Sequence, residues 1–280
     1  MKKFLAAFDG FKMSKSTLEY AIQLTKIADA HLVGVFLDEF FYRNYNLYKV
    51  LTTSKNPDKV IKELDAKDKK KRDEAAILFQ KTCEKAKIKF SIHRDISFVE
   101  QELQHESMFA DLVIINEYET FAKTKEGPPT HFMKDFLADV QCPVLVVPGA
   151  FKKIDKIVLL YDGGPSSIYA IKMFSYLFGN LPDVPVEVFT VKDRSLGTLR
   201  LPDNKLMREF IKRHFPKATY IINKGDAEKQ ILGHLRNYKE NELVVLGAYR
   251  RSELSRWFKT SMADVLMKEL DTPLFIAHNK

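Results

Sequence analysis

The sequence predicts an α/β fold made of two tandem, open, five-stranded parallel sheets, and three observations support this class. Short apolar runs that suit buried parallel strands, such as residues 112–115 and 242–246, alternate with segments of helical spacing. The strand–helix order of residues 4–148 starts again at residue 156. The 280 residues, 45% of them hydrophobic, suffice for two domains of about 140 residues. Helices are therefore expected on both faces of each sheet.

The first half reads as strand and helix in alternation. A helix that Ser14, Ser16 or Thr17 can cap follows the first strand, and a long Lys/Glu-rich helix begins at Asn56-Pro57-Asp58. Two further helices are predicted over residues 99–105 and 132–140. The predicted strands are residues 4–8, 31–37, 89–96, 112–115 and 142–148.

The second half repeats this order after a boundary at residues 149–155, which divides the chain into domains 1–150 and 151–280. Ser166-Ser167 is expected to cap its first helix, and Gly225-Asp226 to open a later one. The last helix is expected from residue 262 onward. This copy is shorter between its second strand and second helix. Its predicted strands are residues 156–163, 186–191, 218–222, 242–246 and 272–276.

Charge and cysteine content exclude several classes of protein. The net charge is +8 and the pI about 9.2, but the 45 basic and 37 acidic residues are interspersed. The dense run at residues 67–72 lies in a helical pattern, so a solvated helix face explains it better than a nucleic-acid patch. Cys83 and Cys142 lie far apart, which argues against a metal site or a disulfide framework. The apolar run at the N-terminus ends at Asp9, too short for a signal peptide, and no run approaches 18 apolar residues. We expect a cytoplasmic protein with no membrane or nucleic-acid partner.

Several motifs resemble those of the universal stress proteins, and the resemblance covers essentially the whole chain. Strands end in Asp9-Gly10 and Asp162-Gly163, Gly225-Asp226 precedes a helix, and Cys142-Pro143 or Thr272-Pro273 introduces each last strand. The resemblance implies two Rossmann-like domains of the adenine-nucleotide α-hydrolase type in one chain. It also implies that they pack as a pseudo-dimer through their last strands, residues 144–147 and 274–276.

The strongest match is LGAYRRSELSRWFKTS, which is similar to the family's nucleotide loop, Gly-x2-Gly-x9-Gly-Ser/Thr. Gly247 fills the first position and Ser261 the last, whereas Arg250 and Thr260 replace the other two glycines. Arg250 can obstruct a triphosphate or bind it through its guanidinium. Thr260 would tolerate positive φ badly because it is β-branched.

The first half lacks this loop. Asn116-Glu117-Tyr118-Glu119 follows the fourth strand, with two acids and no glycine. Carboxylates at this place would repel phosphate. We therefore expect the nucleotide loop of the first half to be degenerate and that of the second half to be partly retained.

Each candidate residue of the second half has a structural alternative. Asp162 would hydrogen-bond a nucleoside by resemblance, or it caps the turn before Pro165; Asp9 has the same place with less support. Gly247 serves a phosphate loop or a tight turn, and Ser261 contacts phosphate or caps a helix. Only the family analogy gives Val191 a backbone contact with adenine, and the arginines are either ligands or solvated loop charges. The nucleotide-binding candidates are Asp162, Gly163, Val191, Gly247, Tyr249, Arg250, Arg251, Thr260 and Ser261.

No catalytic constellation emerges, because the seven histidines are scattered and none forms a metal-ligand pair or a Ser-His-acid arrangement. We expect a non-enzymatic stress-response and interaction module with weak or absent nucleotide binding and no required cofactor. The alternative is a sensor of ATP or AMP, with Mg, that uses the second domain only and hydrolyses ATP slowly. In a third hypothesis, aromatic residues 40–48 form the lid of a small-ligand pocket; they can equally cover a sheet edge or a dimer contact. A homodimer and an unidentified protein partner stay open.

Overall fold

The computed structural model describes residues 1–39, 45–97, 99–122, 124–179, 184–192, 200–237, 241–248 and 261–279. Each strand expected in the first half is present, and the short helix α2 is an addition that the sequence pattern did not reveal. The elements of this half are β1 (Lys2–Asp9), α1 (Lys15–Ala28), β2 (Ala30–Glu39), α2 (Leu47–Thr53), α3 (Pro57–Ala86), β3 (Lys89–Ser97), α4 (Val99–Ser107), β4 (Leu112–Asn116), α5 (His131–Asp139) and β5 (Val144–Val147).

The second half repeats the strand order with a shorter insertion after its second strand, as expected. Its helix α7 was not predicted, because only Met207 and Ile211 of this polar segment are buried. The elements are β6 (Lys156–Leu160), α6 (Pro165–Phe178), β7 (Val186–Lys192), α7 (Asn204–His214), β8 (Thr219–Lys224), α8 (Ala227–Arg236), β9 (Glu242–Gly247), α9 (Met262–Glu269) and β10 (Leu274–Ala277).

The ten strands of the described residues belong to one sheet, in the order β3-β2-β1-β4-β5-β10-β9-β6-β7-β8. Neighbouring strands are parallel except at the centre, where β5 and β10 run antiparallel with Leu145 opposite Phe275. Each half therefore contributes a five-stranded parallel sheet, and the two sheets join through their last strands. This confirms the predicted α/β class and the intrachain pairing of residues 144–147 with 274–276.

Strand register gives the correspondence between the halves. Phe4 of β1 pairs with Leu112 of β4, and Ile157 of β6 pairs with Leu243 of β9. Counting along the strands from these pairs matches Lys3 with Lys156, Asp9 with Asp162 and Asn116 with Gly247.

The core lies on both faces of the sheet, as parallel strands require. Along β1, Phe4, Ala6 and Phe8 face one apolar layer, and Leu5 and Ala7 face the other. Helices α1, α3, α6 and α7 supply the first layer, and α4, α5, α8 and α9 supply the second. The buried strands carry the β-branched and aliphatic runs from which they were predicted.

Most predicted helix starts agree with the structure, and one differs. Ser14 caps α1, because its Oγ accepts a hydrogen bond of 3.1 Å from the N–H of Thr17. Asp226 caps α8 as expected. The prediction that Ser166-Ser167 caps α6 was wrong: Gly164 is the N-cap residue and Pro165 begins the helix. Proline suits the first helical position because it has no N–H to leave unpaired.

The outer part of the first half is polar. Lys69, Lys70 and Lys71 are exposed on α3, in agreement with a solvated helix face. Residues 40–44 of the aromatic segment lie outside the described residues. Of its remainder, the Tyr45 hydroxyl donates to Asp65 Oδ1 at 2.6 Å, and Tyr48 is 77% exposed. No helix among the described residues is long and apolar enough to cross a membrane.

Candidate functional site

Four predicted site residues lie along one edge of the second half-sheet. Asp162 and Gly163 follow β6, Gly247 ends β9 on one side of it, and Val191 lies near the end of β7 on the other. The carboxyl edge of an open parallel sheet is where such folds bind ligands. The sheet thus brings these four residues to the predicted place.

The Asp162 carboxylate organises the turn into α6. Its Oδ1 accepts hydrogen bonds from the N–H of Gly164 at 2.7 Å and from the hydroxyl of Ser167 at 2.6 Å. Gly163 has φ of 80°, a left-handed conformation that glycine adopts readily. One carboxylate oxygen therefore caps the turn before Pro165, which is the alternative role predicted for this residue. A contact with a nucleoside stays a prediction.

Gly247 is required by a close approach between two backbones. A Cβ built on this residue would lie 2.4 to 2.6 Å from the carbonyl group of Ser166 and the nitrogen of Ser167. No side chain fits at such distances from backbone atoms. The glycine lets the end of β9 pack against the first turn of α6. The sequence predicted a phosphate loop or a tight turn at Gly247 and did not predict this packing.

Val191 is a core residue. The residue is 5% exposed and lies in the apolar layer that also contains Phe189 on the same strand. The predicted backbone contact with adenine is untested.

Ser261 is the N-cap residue of α9, yet its side chain does not cap the helix. Its Oγ is buried and makes no hydrogen bond within the described part of the chain. A buried hydroxyl without a partner is costly, and the N-terminus of a helix favours anions. A contact between this hydroxyl and phosphate stays a prediction. The other loop candidates, Tyr249, Arg250, Arg251 and Thr260, lie outside the described residues.

The corresponding edge of the first half is crossed by residues 116–122. Asn116, which matches Gly247, donates from its Nδ2 to Ser14 Oγ and to the carbonyl oxygens of Val147 and Pro148, each at 3.3 Å. The Lys12 ammonium donates to the carbonyl of Ala122 at 3.2 Å. The segment is thus fastened across the carboxyl ends of β4 and β5 and to the turn after β1.

Glu117 lies in this segment with its side chain buried. The residue is 2% exposed, its N–H donates to the Val147 carbonyl at 3.0 Å, and its Oε1 has no hydrogen-bond partner among the described residues. Burial, together with the negative charge of Asp271 from the second half, raises the pKa of Glu117 to about 8, against the opposing effect of a hydrogen bond from the Gly149 backbone. Burial therefore favours the protonated form of this carboxyl group.

Glu119 is the second buried acid of the segment. It is 8% exposed, and its Oε1 accepts hydrogen bonds of 3.3 Å from the N–H groups of Thr120 and Phe121. Burial and the charge of Asp9 raise the pKa of Glu119 to about 7, against the opposing effect of these bonds and of Lys12. Asp9 is itself 2% exposed, and its Oδ1 accepts from the N–H of Phe11 at 2.8 Å.

The two acids could be identified from the sequence. The residues that hold their segment in place, and those that hold the turn of the second half, could not. Thr130 Oγ1 donates to the Glu119 carbonyl at 2.6 Å, and Ser166 Oγ donates to Asn279 Oδ1 at 3.1 Å. The partners are 11 and 113 residues apart, so no local pattern in the sequence pointed to them.

No group of three or more His, Cys, Asp or Glu side chains in the described ranges could hold a metal ion.

The whole fold matches solved structures. A universal stress protein from Archaeoglobus fulgidus DSM 4304 superposes with a TM-score of 0.68 at 16% identity, over 99% of this chain and 98% of that one. A putative universal stress protein from Pseudomonas aeruginosa UCBPP-PA14 gives 0.61 at 14% identity, over 99% and 92%. A functionally unknown protein from Pseudomonas aeruginosa PAO1 gives 0.56 at 13%, over 99% and 92%. The chain has the tandem universal-stress-protein fold.

The universal-stress-protein fold is carried here by a diverged sequence, since neither a family model nor a curated protein matches the chain. The two full-length universal stress protein structures cover both halves, so the resemblance noted in the motifs extends to the whole fold. At identities of 14 to 16%, the likeness establishes architecture and leaves the chemistry to the residues at the sheet edge.

Proposed function

We propose that this chain is a non-enzymatic stress-response and interaction module with weak or absent nucleotide binding. The observation that carries the proposal is the acidic segment at the edge of the first half-sheet. Glu117 and Glu119 are buried at the place where the second half keeps Gly247, and Asp9 lies beside Glu119. A phosphate group would meet these buried acidic side chains there in place of a glycine, and the neighbouring Asp9 carboxylate would repel it.

The module is proposed to consist of two domains, residues 1–150 and 151–280, that share one sheet. It is proposed to act in the cytoplasm through an unidentified protein partner, with no nucleic acid involved. A homodimer is compatible with the exposed outer helices. The two halves differ at the sheet edge, and this asymmetry is what supports a binding role confined to at most one of them.

One observation favours a second candidate function, an ATP or AMP sensor that uses the second half alone. The Ser261 hydroxyl lies buried at the N-terminus of α9 with no hydrogen-bond partner in the described residues, and a phosphate oxygen would satisfy it. In this alternative Asp162 and Val191 contact the nucleoside, Mg accompanies ATP, and slow hydrolysis of ATP follows.

Thermal unfolding with excess Mg-ATP, or with AMP, separates the two candidates. The interaction module predicts no shift of the Tm at millimolar nucleotide. The sensor predicts a gain of about 2.7 kcal/mol at 100 times the Kd, which for a domain of this size is a shift of roughly 5–10 °C.

Three variants locate any shift that is found. Asp162→Ala and Ser261→Ala should abolish it, whereas Asp9→Ala should leave it intact. Equal loss from Asp9→Ala and Asp162→Ala would contradict the asymmetry between the halves, and a wild-type shift would replace the interaction module by the sensor.

A further inference from the structure

Two acids of one short segment are buried at the seam and the sheet edge of the first half. Glu117 lies next to Asp271, which comes from the turn before β10 in the other half, and Tyr118 and Tyr20 are the other titratable groups that it faces. Its Oε1 is buried and has no partner among the described residues. An ionised carboxylate in this place would meet a like charge across the seam, which the hydrogen bond from the Gly149 backbone only partly offsets.

Glu119, two residues further along the same segment, has different charged neighbours. The charged groups around it are Asp9 at the end of β1 and Lys12 in the following turn, and its nearest donors are the N–H groups of Thr120 and Phe121. The carboxylates of Glu119 and Asp9 repel each other. Lys12 only partly offsets this repulsion, because burial disfavours the charged form of both acids.

The backbone of the segment also contains a strained residue. Phe121 has φ of 47°, a left-handed conformation that an aromatic residue adopts only when its surroundings hold it there. Its ring is 2% exposed and packs on Phe132 with 4.8 Å between centroids. The segment therefore depends on its contacts with the sheet edge, and a loss of those contacts would relax it.

We propose that residues 116–122 form a proton-operated plug, which closes the sheet edge of the first half while Glu117 and Glu119 carry protons and loosens from it when they lose them. Acidification holds the plug in place and alkalinisation releases it, so the exposed surface near the seam between the halves changes with pH. This adds a regulatory role to a half that lacks the phosphate loop.

The sign of the effect follows from the two carboxyl groups. Each has a folded-state pKa above its ordinary value of 4.5, namely about 8 for Glu117 and about 7 for Glu119. The docked state thus binds protons that the undocked state releases, and docking weakens as pH rises from about 4.5 to the raised pKa. Between pH 6 and pH 9, the opening constant should rise about tenfold through Glu119 and about a hundredfold through Glu117.

Hydrogen–deuterium exchange of the wild-type chain at pH 6, 7, 8 and 9 tests the plug directly. After correction for the intrinsic pH dependence of exchange, peptides that cover residues 116–122 should lose protection by a factor of about a thousand across this range. Peptides from α6 serve as the internal reference and should stay unchanged. Protection of residues 116–122 that follows α6 at every pH would overturn the proposal.

Matched variants assign the effect to the two side chains. Glu117→Gln and Glu119→Gln should each remove part of the pH dependence, and the double variant most of it, whereas Glu63→Gln makes the same change on the exposed face of α3 and should behave as wild type. A pH dependence that persists in the double variant would also overturn the proposal. The wild-type measurement stands if a variant fails to fold. Because it uses no nucleotide, its outcome is independent of whether the second half binds ATP.

Discussion

At the scale of single residues, the lack of a Cβ at Gly247 permits close packing at the sheet edge. A Cβ on Gly247 would lie 2.4 Å from the carbonyl carbon of Ser166, and backbone atoms cannot move aside as the end of a flexible side chain can. We expect Gly247→Ala to lower the free energy of unfolding by about 1–3 kcal/mol, the range for inserting a group into a packed core. Chemical denaturation measures it.

Gly233 is the matched control. It lies inside α8, and a Cβ there would meet no atom within 4 Å. Gly233→Ala should therefore raise stability by about 0.5–1 kcal/mol, because alanine favours the helix and restricts the unfolded chain. If both variants changed stability in the same direction and by the same amount, the close approach at Gly247 would not be the cause.

At the scale of elements, Thr130 joins the plug to the start of α5. Its hydroxyl, fully buried, donates to the Glu119 carbonyl at 2.6 Å and accepts from the N–H of Met133 at 3.1 Å. Thr130→Ala should lower the free energy of unfolding by about 2 kcal/mol, since it removes a helix cap and leaves the buried Glu119 carbonyl without this donor. It should also speed hydrogen exchange in residues 116–122.

Thr130→Ser keeps the hydroxyl and provides the control for this element. It should restore the exchange protection of residues 116–122 almost fully, at the cost of one buried methyl group. If Thr130→Ala weakened α5 and left residues 116–122 fully protected, the helix cap and the plug would be independent of each other.

Across the whole molecule, the repeated pattern of the sequence was enough to predict the architecture. The alternating apolar runs predicted the strands, and the family resemblance implied that the halves meet through residues 144–147 and 274–276. The plug could not be predicted, because it depends on Glu119 lying beside Asp9 and on Glu117 lying beside Asp271. These pairs are separated by more than a hundred residues, and the burial that gives them their effect is a property of the folded chain.

The opposite, amino-terminal edges of the two half-sheets carry matching charge clusters. Lys156 Nζ lies 2.9 Å from Glu187 Oε2 and 4.0 Å from Glu242 Oε1, and His234 contacts Glu187 as well. Lys3, the matching residue of the first half, lies 3.3 Å from Glu106, which His93 also contacts. The Lys156 side chain is 8% exposed and that of Lys3 is 31% exposed, so the same arrangement is buried in one half and partly solvated in the other.

This difference predicts unequal effects of the same substitution in the two halves. Lys156→Met removes the cation that two buried carboxylates face and should lower the free energy of unfolding by about 3–5 kcal/mol. Lys3→Met should cost no more than about 1 kcal/mol, because water screens its ion pair. Denaturation at neutral pH and low salt measures both, and equal losses would mean that burial does not set the strength of these clusters.

The pH dependence of the Lys156→Met deficit gives a second test of the same cluster. Burial would raise the pKa of Glu187, but hydrogen bonds from His234 and Lys156 outweigh it and lower this pKa in the folded protein. The wild-type contribution is therefore present above the ordinary carboxyl pKa and is lost as pH falls through the lowered folded-state value. The deficit of Lys156→Met should stay constant down to about pH 4.5 and shrink as pH falls further, whereas the plug of the first half is held firmly there. The two halves would then respond to acid in opposite directions, and a deficit that stays constant below about pH 4.5 as well would rule out this opposition.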